Sequence, residues 1–262
     1  MTAVEHELRG RTALLTLNRP EVRNAVDADL STALGEALDR AVADGARAVV
    51  LTGAGASFCA GADLKAIAAG QDIGAREHPE WGFAGFVQHW VPVPVIAAVN
   101  GPAMGGGTEL VLASDLAVAS EAASFGLPEV RRGLYAAAGG VVRLPRQVPL
   151  KRALELGLTG EAVDAATALE WGLVNRVVPP EQLLEEALAL ADRIAANAPT
   201  AVRETKRMMH LSAAAGSDWD PAWDGLDPWR ANLEAVATVF GHPDAVEGPT
   251  AFAEKREPRW RD

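Results

Sequence analysis

The chain lacks the features that would tie it to an oxidising compartment, a membrane or a nucleic acid. Cys59 is the single cysteine among 262 residues, so no internal disulfide can form and a reducing, cytoplasmic setting is expected. Positive charge is scarce: 24 Lys and Arg face 35 Asp and Glu, and the net charge of −11 disfavours nucleic acids and anionic membranes as partners. No apolar run reaches the roughly 20 residues of a membrane span, and residues 1–7 show no secretion signal.

Several kinds of chemistry lack their sequence signature as well. The five histidines form no H-E-x-x-H or comparable ligand spacing, so no metal site is predicted. The G-x-S-x-G nucleophile turn and the Walker A loop are also missing from the sequence. Cys59 is interpreted as a small core residue rather than a nucleophile.

Hydrophobic residues make up 49% of the chain, enough for a full-sized core, and their spacing alternates between strand and helix patterns. An amphipathic helix is predicted from Val26 to Val42, with Asp27 as its cap, and after about Leu150 the pattern is almost wholly helical. Strands separated by helices favour an α/β body with parallel or mixed pairing. The predicted strands are Thr12–Leu17, Arg47–Thr52, Pro94–Asn100 and Asp115–Ser120.

Two short segments follow two of these strands and each precedes a predicted helix. They are Phe58–Asp63 (F-C-A-G-A-D) and Gly105–Leu110 (G-G-G-T-E-L). The first N–H groups of a helix have no partner within it, so two such ends aimed at one point can hold an oxygen anion. A carbonyl becomes such an anion when an enolate forms, and fixed donors at that point are often the largest catalytic term. The segments therefore indicate enolate chemistry.

The order of motifs along the chain resembles the crotonase family, the enoyl-CoA hydratase/isomerase superfamily. The resemblance covers nearly the whole chain and implies a crotonase-like ββα superhelix. It also implies a homotrimer, or a dimer of trimers, built through C-terminal helices. The motifs that carry it are Leu17–Pro20, Asn24-Ala25, Ala60–Asp63, Asn100–Leu110, Pro128-Glu129, Gly139-Gly140, Trp171–Val178 and Ala251–Arg256. We expect a catalytic core over residues 1–190 and a helical oligomerisation region over 191–262.

The resemblance assigns four catalytic positions. The oxyanion donors fall on the backbone amides of Ala62 and Gly106, where small side chains let a thioester approach. Glu109 and Glu129 match the two catalytic glutamates of family hydratases, which activate water and protonate the α-carbon. Keeping both glutamates favours hydration or dehydration.

The resemblance also places coenzyme A, which enters as part of the acyl-CoA substrate, so no separate cofactor is expected. Arg23 and Ala25 would line its pantetheine and phosphate path, and Ala60 would meet the adenine. Lys255 matches a position that reaches CoA phosphate, although Glu254–Glu257 also fits an ordinary solvated run. The residues expected close to Ala60 are Asp63, Leu64 and Lys65, and those expected in the acyl pocket are Trp81, Phe83 and Phe86.

The sequence departs from the family pattern just after Glu129. Family hydratases commonly show Pro-Gly-Ala-Gly-Gly-Thr where this chain has Ala136–Val141, so that Ala137 replaces a glycine. Tyr135, the only tyrosine, is interpreted as a pocket wall, a hydroxyl for the substrate, or core. This departure leaves alternatives beside an enoyl-CoA hydratase: a Δ3-Δ2-enoyl-CoA isomerase, a carnitinyl-CoA-type dehydratase, or a catalytically silent acyl-CoA-binding oligomer.

Overall fold

A computed structural model describes residues 2–212, 233, 236–237, 240–241, 243–256 and 259. Within these residues the strands are β1 (Val4–Arg9), β2 (Thr12–Leu17), β3 (Ala48–Gly53), β4 (Val95–Val99), β5 (Ala103–Met104), β6 (Leu116–Ser120), β7 (Ser124–Gly126), β8 (Val163–Asp164) and β9 (Arg176–Val178). The helices are α1 (Ala28–Ala43), α2 (Leu64–Ala68), α3 (Gly106–Ala113), α4 (Gly140–Gln147), α5 (Leu150–Thr159), α6 (Ala165–Trp171), α7 (Leu183–Ala195), α8 (Pro199–Ser212) and α9 (Asp244–Ala253).

The main sheet has six strands in the order β1-β2-β3-β4-β6-β9. Only the β1–β2 pair is antiparallel, and the other four pairs are parallel. A second, three-stranded sheet joins β5, β7 and β8. Parallel neighbours place their carboxyl ends at one edge of the main sheet, and the segments that follow β3 and β4 therefore emerge side by side.

Both faces of the main sheet are covered over its inner strands β2, β3, β4 and β6, which explains why these four strands are largely apolar. Alternate residues of β3 enter two different cores: Val49 and Leu51 pack with α1, whereas Ala48 and Val50 pack with α7. Helix α1 starts where the sequence predicts, because the side chain of Asp27 accepts a hydrogen bond from Leu30 N.

The predicted strands and helices up to Ser120 are confirmed to within one or two residues, but β1 was not predicted from the sequence. Its burial pattern shows why: apart from Val4, its residues are exposed or half-buried, as fits an edge strand. The short strands β8 and β9 also interrupt the region expected to be wholly helical. The predicted break at Trp219–Gly225, and most of a predicted helix over Asn232–Phe240, lie outside the described residues.

The proposed division at residue 190 remains a prediction, although this position falls within α7. Ala187 and Ala191, on either side of it, pack into the same core against the sheet. Among the described residues, no helix combines the length and the apolar character needed to cross a membrane.

A buried ammonium group fastens α8 to the body. Lys206 Nζ donates to Val91 O at 2.8 Å, to Val93 O at 3.0 Å and to Asp115 Oδ2 at 2.7 Å. The second carboxylate oxygen of Asp115 lies 2.9 Å from His210 Nε2. Although burial alone would raise the pKa of Asp115, His210 and Lys206 hold it below its usual range. The network joins α8 to the segment that leads into β4.

We expect Lys206→Met to lower the free energy of unfolding by about 3 kcal/mol, because it leaves buried acceptors without their cation. The matched control is Arg207→Met, which removes an ion pair to Glu204 whose two side chains are about half exposed. Arg207→Met should lower the free energy of unfolding by less than about 1 kcal/mol. Urea unfolding of both variants measures the difference, and equal losses would contradict the anchoring role.

Candidate active site

The two glycine-containing segments predicted from the sequence do come together. Cys59 forms an isolated parallel bridge with Ala103, and Met104 N donates to Cys59 O at 2.9 Å. The chain after β3 is further held by Asn24, whose Nδ2 donates to the carbonyls of Ala54, Ser57 and Phe58. Residues 59–62 therefore run alongside residues 103–106.

Glycine makes this approach possible at two points. A Cβ on Gly107 would lie 2.1 Å from Cys59 O, and a Cβ on Gly61 would lie 2.9 Å from Gly106 N. Both distances are shorter than a side chain tolerates, so these positions require glycine for the backbones to meet.

The amides of Ala62 and Gly106 are left unused by the protein. Neither N–H donates a hydrogen bond within the described part of the chain, although the flanking Asp63 N donates to Val26 O. Gly106 is the first residue of α3, where an amide has no partner within the helix. Both residues line one cavity of about 170 Å³. Two residues with free backbone donors thus lie at the same cavity.

Two carboxyl groups lie in the same cavity. Glu109, in the first turn of α3, is 3% exposed, and its Oε1 accepts a hydrogen bond from Gly140 N at 2.8 Å. Glu129 belongs to a 3-10 helix at Pro128–Arg132. Its Oε2 is buried and has no hydrogen-bond partner among the described residues. A Cβ on Gly105 would lie 2.8 Å from Glu129 Oε1, which places this carboxylate beside the start of α3.

Burial raises the pKa of both glutamates above the usual range, and the charge of Glu129 raises that of Glu109 further. Hydrogen bonds from the amides of Gly140 and Ala138, together with the charge of Arg143, lower the pKa of Glu109 and so offset part of this rise. Such a pair favours holding one proton between its two members. A pair of this kind is suited to supplying an acid and a base to one substrate.

Five of the substrate-binding residues predicted from the sequence line this cavity: Ala60, Leu64, Phe83, Tyr135 and Ala137. Burial and Glu109 raise the pKa of the Tyr135 phenol. Further lining residues were not predicted: Ile67, Ile73, Pro128, Arg132, Leu134, Ala138 and Phe240. Arg132 lies three residues after Glu129, about one helical turn. This spacing places both side chains on the same side of the helix, and it is the sequence feature that could have indicated Arg132 as a lining residue. The other residues are apolar and show no pattern that separates them from core.

Trp81 and Phe86 do not line the cavity, in contrast to the prediction. Phe86 is 2% exposed and belongs to the main core. Trp81 stacks between the rings of His78 and His89, and a Cβ on Gly35 would collide with its indole. These two aromatic residues fix the segment against α1, and Phe83 between them faces the cavity.

The remaining predicted CoA contacts lie outside the cavity lining. Arg23 adopts positive φ and its carbonyl accepts from Ala60 N, while Ala25 is buried. Asp63 caps α2 through Lys65 N and Ala66 N. Lys65 and Lys255 are exposed. Their predicted roles toward coenzyme A remain predictions.

Cys59 is fully buried, and burial raises the pKa of its thiol to about 12. Its Sγ lies 3.1 Å from Asn24 O and 3.4 Å from Gly61 N. A thiol in this state is a poor nucleophile, which fits the interpretation as a core residue.

Helix α9 packs over the 3-10 helix that carries Glu129. A Cβ on Gly248 would lie 1.5 Å from Arg132 O, so the two backbones are in direct contact. The guanidinium carbon of Arg132 lies 5.2 Å from the ring centre of Phe252 on α9. Residues near the end of the chain thereby hold one wall of the cavity.

Paired amide donors facing two buried carboxyl groups define a site built for enolate chemistry. Comparison with known proteins agrees. A family model described as enoyl-CoA hydratase/isomerase matches residues 8–262. The chain is 41% identical to a carnitinyl-CoA dehydratase of Proteus mirabilis, over 97% of the chain and 96% of the relative. It is 39% identical to the enoyl-CoA hydratase EchA19 of Mycobacterium tuberculosis, over 98% and 95%.

Solved structures show the same relationship. A carnitinyl-CoA hydratase from Mycobacterium avium superimposes with a TM-score of 0.90 at 52% identity, covering 100% of this chain and 99% of that one. EchA1_1 from Mycobacterium paratuberculosis gives 0.90 at 50% identity, with the same coverage. The chain belongs to the enoyl-CoA hydratase/isomerase family and has the crotonase fold.

Proposed function

We propose that the protein adds water to 2-enoyl-CoA thioesters to give 3-hydroxyacyl-CoA, and catalyses the reverse dehydration. The observation that carries this proposal is that two amides with no described acceptor, at Ala62 and Gly106, share one cavity with the buried Glu109 and the half-buried Glu129. Relatives of similar length are named hydratases and dehydratases of CoA esters. An isomerase needs to move only one proton, whereas hydration uses an acid and a base.

The hydrogen bonds assign the two glutamates different roles. Burial and the charge of Glu129 raise the pKa of Glu109, and this rise is offset only in part by the backbone N–H donors of Gly140 and Ala138 and by the charge of Arg143. Glu129 has a buried oxygen without a partner, and this favours its protonated form. We propose, from this difference in hydrogen bonding and not from the pKa shifts, that in the hydration direction Glu109 is the base that takes a proton from water and Glu129 is the acid.

The reaction then balances without another group. The water oxygen bonds to the β-carbon as Glu109 accepts its proton, and the electron pair of the C=C bond moves toward the thioester carbonyl. The resulting enolate oxygen is held by the amides of Ala62 and Gly106. The α-carbon takes the proton of Glu129, so that H and OH have been added and the two glutamates have exchanged protonation states. Coenzyme A takes part only as the thioester.

Replacing either glutamate should stop turnover while leaving thioester binding in place. We expect Glu109→Gln and Glu129→Gln each to lower kcat for crotonyl-CoA by roughly 100-fold or more, because the amide neither accepts nor donates the catalytic proton. Loss of the conjugated enoyl-thioester absorbance measures kcat, and calorimetry with butyryl-CoA measures binding.

Glu161→Gln is the matched control, since Glu161 is an exposed partner of Arg131. Full activity in either active-site variant would contradict the mechanism. Tight butyryl-CoA binding without turnover of crotonyl-CoA or of a 3-enoyl-CoA in the wild type would identify the silent-oligomer alternative.

We infer that the acyl group carries no quaternary ammonium. Beyond the two glutamates, the described lining is largely apolar and its cation is Arg132, for which no carboxylate partner is found among the described residues. A guanidinium at this wall repels a trimethylammonium group. This argues against a carnitinyl substrate, despite the names of several relatives.

The comparison of two substrates tests this inference. Crotonyl-CoA should exceed crotonobetainyl-CoA in kcat/KM, and Arg132→Gln should narrow that ratio by roughly tenfold as the repulsion is removed. Arg131→Gln is the control, because it makes the same charge change one residue away, where the side chain bonds to Thr159 O and Glu161. A ratio in Arg132→Gln equal to that of the wild type would rule out the inference.

We propose further that the chain assembles as a trimer, or as a dimer of trimers, and that α5 contributes to the interface although it lies outside the region 191–262 expected to mediate assembly. Leu150, Leu154 and Leu158 form a stripe on this helix with exposed fractions of 60%, 47% and 71%. The spacing of four residues places them on one face. An apolar face of this kind is typical of a surface covered by another subunit.

The oligomeric state should depend on this stripe. We expect the wild-type chain to sediment as a trimer or hexamer and Leu154→Glu with Leu158→Glu to sediment mainly as smaller species, because charges would be buried in the interface. Lys151→Glu, an exposed change on the same helix, serves as the control. Unchanged sedimentation of the double variant would exclude this face.

A further inference from the structure

The segment that carries Ala62 is bonded along one side to the loop between β2 and α1. We call residues 19–26 of that loop the support loop. Three backbone hydrogen bonds join the two segments: Ala60 N to Arg23 O at 2.9 Å, Val26 N to Gly61 O at 2.8 Å and Asp63 N to Val26 O at 2.9 Å. Val26 and Ala62 also form an isolated parallel bridge. The support loop is therefore the immediate neighbour of an oxyanion donor.

These bonds fix the direction of the Ala62 amide. The peptide between Gly61 and Ala62 is trans and planar, so its C=O and N–H point in opposite directions. Because Val26 N holds Gly61 O, the Ala62 N–H points away from the support loop. The next peptide is held as well, since Asp63 N donates to Val26 O. The aim of this donor thus depends on where the support loop places Val26.

The backbone of the support loop has an unusual conformation. Arg23 and Asn24 have φ values of +56° and +55°, in the left-handed region that residues other than glycine rarely adopt. Asparagine tolerates this region better than arginine does. Two consecutive residues of this kind persist only where the surrounding structure holds them, and such places cluster at functional sites.

The side chain of Asn24 holds the loop in this conformation. It is fully buried, and its Oδ1 accepts a hydrogen bond from Arg19 N at 2.9 Å. Its Nδ2 donates to three carbonyls of the turn after β3: Ala54 at 3.0 Å, Ser57 at 2.9 Å and Phe58 at 3.1 Å. One buried amide group therefore ties the start of the support loop to the turn that leads into the Ala62 segment.

Arg19 supports the same arrangement through ion pairs. Its Nη2 lies 2.9 Å from Asp27 Oδ2 and 3.5 Å from Asp63 Oδ2, and its Nη1 donates to Ala25 O at 2.5 Å. All three charged side chains are mostly buried. Asp63 directly follows Ala62 in the chain. A single guanidinium therefore joins the end of the support loop to the residue beside the donor.

We propose that Asn24 is a positioning residue: it holds the support loop in its left-handed conformation, and the loop aims the Ala62 amide at the thioester oxygen. Arg19 reinforces the loop from its other end. The catalytic meaning of this inference rests on the proposed hydration function, but the aim of the amide is measurable without turnover.

The experiment compares Asn24→Asp and Arg19→Met with the control Lys206→Met. Aspartate keeps the size of asparagine and the acceptor for Arg19 N, but it has no N–H to donate to the three carbonyls. Arg19→Met removes the two ion pairs and leaves Asn24 in place. Lys206→Met destabilises the protein elsewhere, because the described bonds of Lys206 are to Val91, Val93 and Asp115.

Difference infrared spectroscopy measures the carbonyl stretch of bound butyryl-CoA that carries an isotope label at the thioester carbon. Hydrogen bonds to the carbonyl oxygen lower this frequency, so the wild-type complex should absorb below free butyryl-CoA. In Asn24→Asp the band should return part of the way toward the free value, because one donor no longer faces the oxygen. We expect a smaller change of the same sign in Arg19→Met and the wild-type band in Lys206→Met.

Turnover gives a second readout that a purely structural role would not move. We expect kcat for crotonyl-CoA, per folded molecule, to fall roughly 100-fold in Asn24→Asp, since a small misplacement of a catalytic group has an effect of this size. KM should change much less than kcat, because the donors act mainly on the enolate.

A wild-type carbonyl band in folded Asn24→Asp would overturn the proposal. If Asn24→Asp fails to fold, an unchanged band in Arg19→Met would overturn it instead, and so would an equal shift in Lys206→Met. A wild-type protein that gives no lowered band would overturn the donor and the proposal together. The expected shifts in a protein that hydrates no enoyl-CoA would refute the proposed function alone.

Discussion

The close approach of two backbones, at Cys59–Ala62 and at Gly105–Gly107, is the constraint on which the site depends. The carbonyl of Cys59 occupies the space where a side chain on Gly107 would lie, and Gly61 sits directly beside the amide of Gly106. With no side chains between them, the two segments bring Ala62 and Gly106 into the lining of a single cavity. Because these amides belong to the scaffold, they need no rearrangement when a charge develops before them.

The two glutamates complement these donors in an unsymmetrical way. They lie in the same buried space, yet Glu109 receives amide donors from the start of α4, whereas an oxygen of Glu129 has no described partner. Two carboxyl groups that share one proton are useful only if the protein decides which of them holds it. In the mechanism proposed above, the difference between them is the hydrogen bond from Gly140 N, so the position at which α4 begins has chemical meaning.

Much of this arrangement could be predicted from the sequence because it depends on local signals. A local physical cause underlies the strand periodicity, the Asp27 cap and the two glycine-containing segments. The order of motifs around them resembles the crotonase family, and that resemblance identified Glu109 and Glu129 as the catalytic pair. The orientation of individual side chains could not be predicted from composition alone. An aromatic cluster indicates a pocket wall, but only packing against α1 decides that Trp81 and Phe86 face inward and Phe83 faces the cavity.

The contact between Gly248 and Arg132 has a consequence for the order in which the protein is made. The wall that carries Glu129 is braced by α9, which lies more than a hundred residues later in the chain. During synthesis from the N-terminus, the amide donors and both glutamates emerge long before this brace exists. A chain that stops before α9 therefore carries the catalytic groups without the helix that braces the wall beside them.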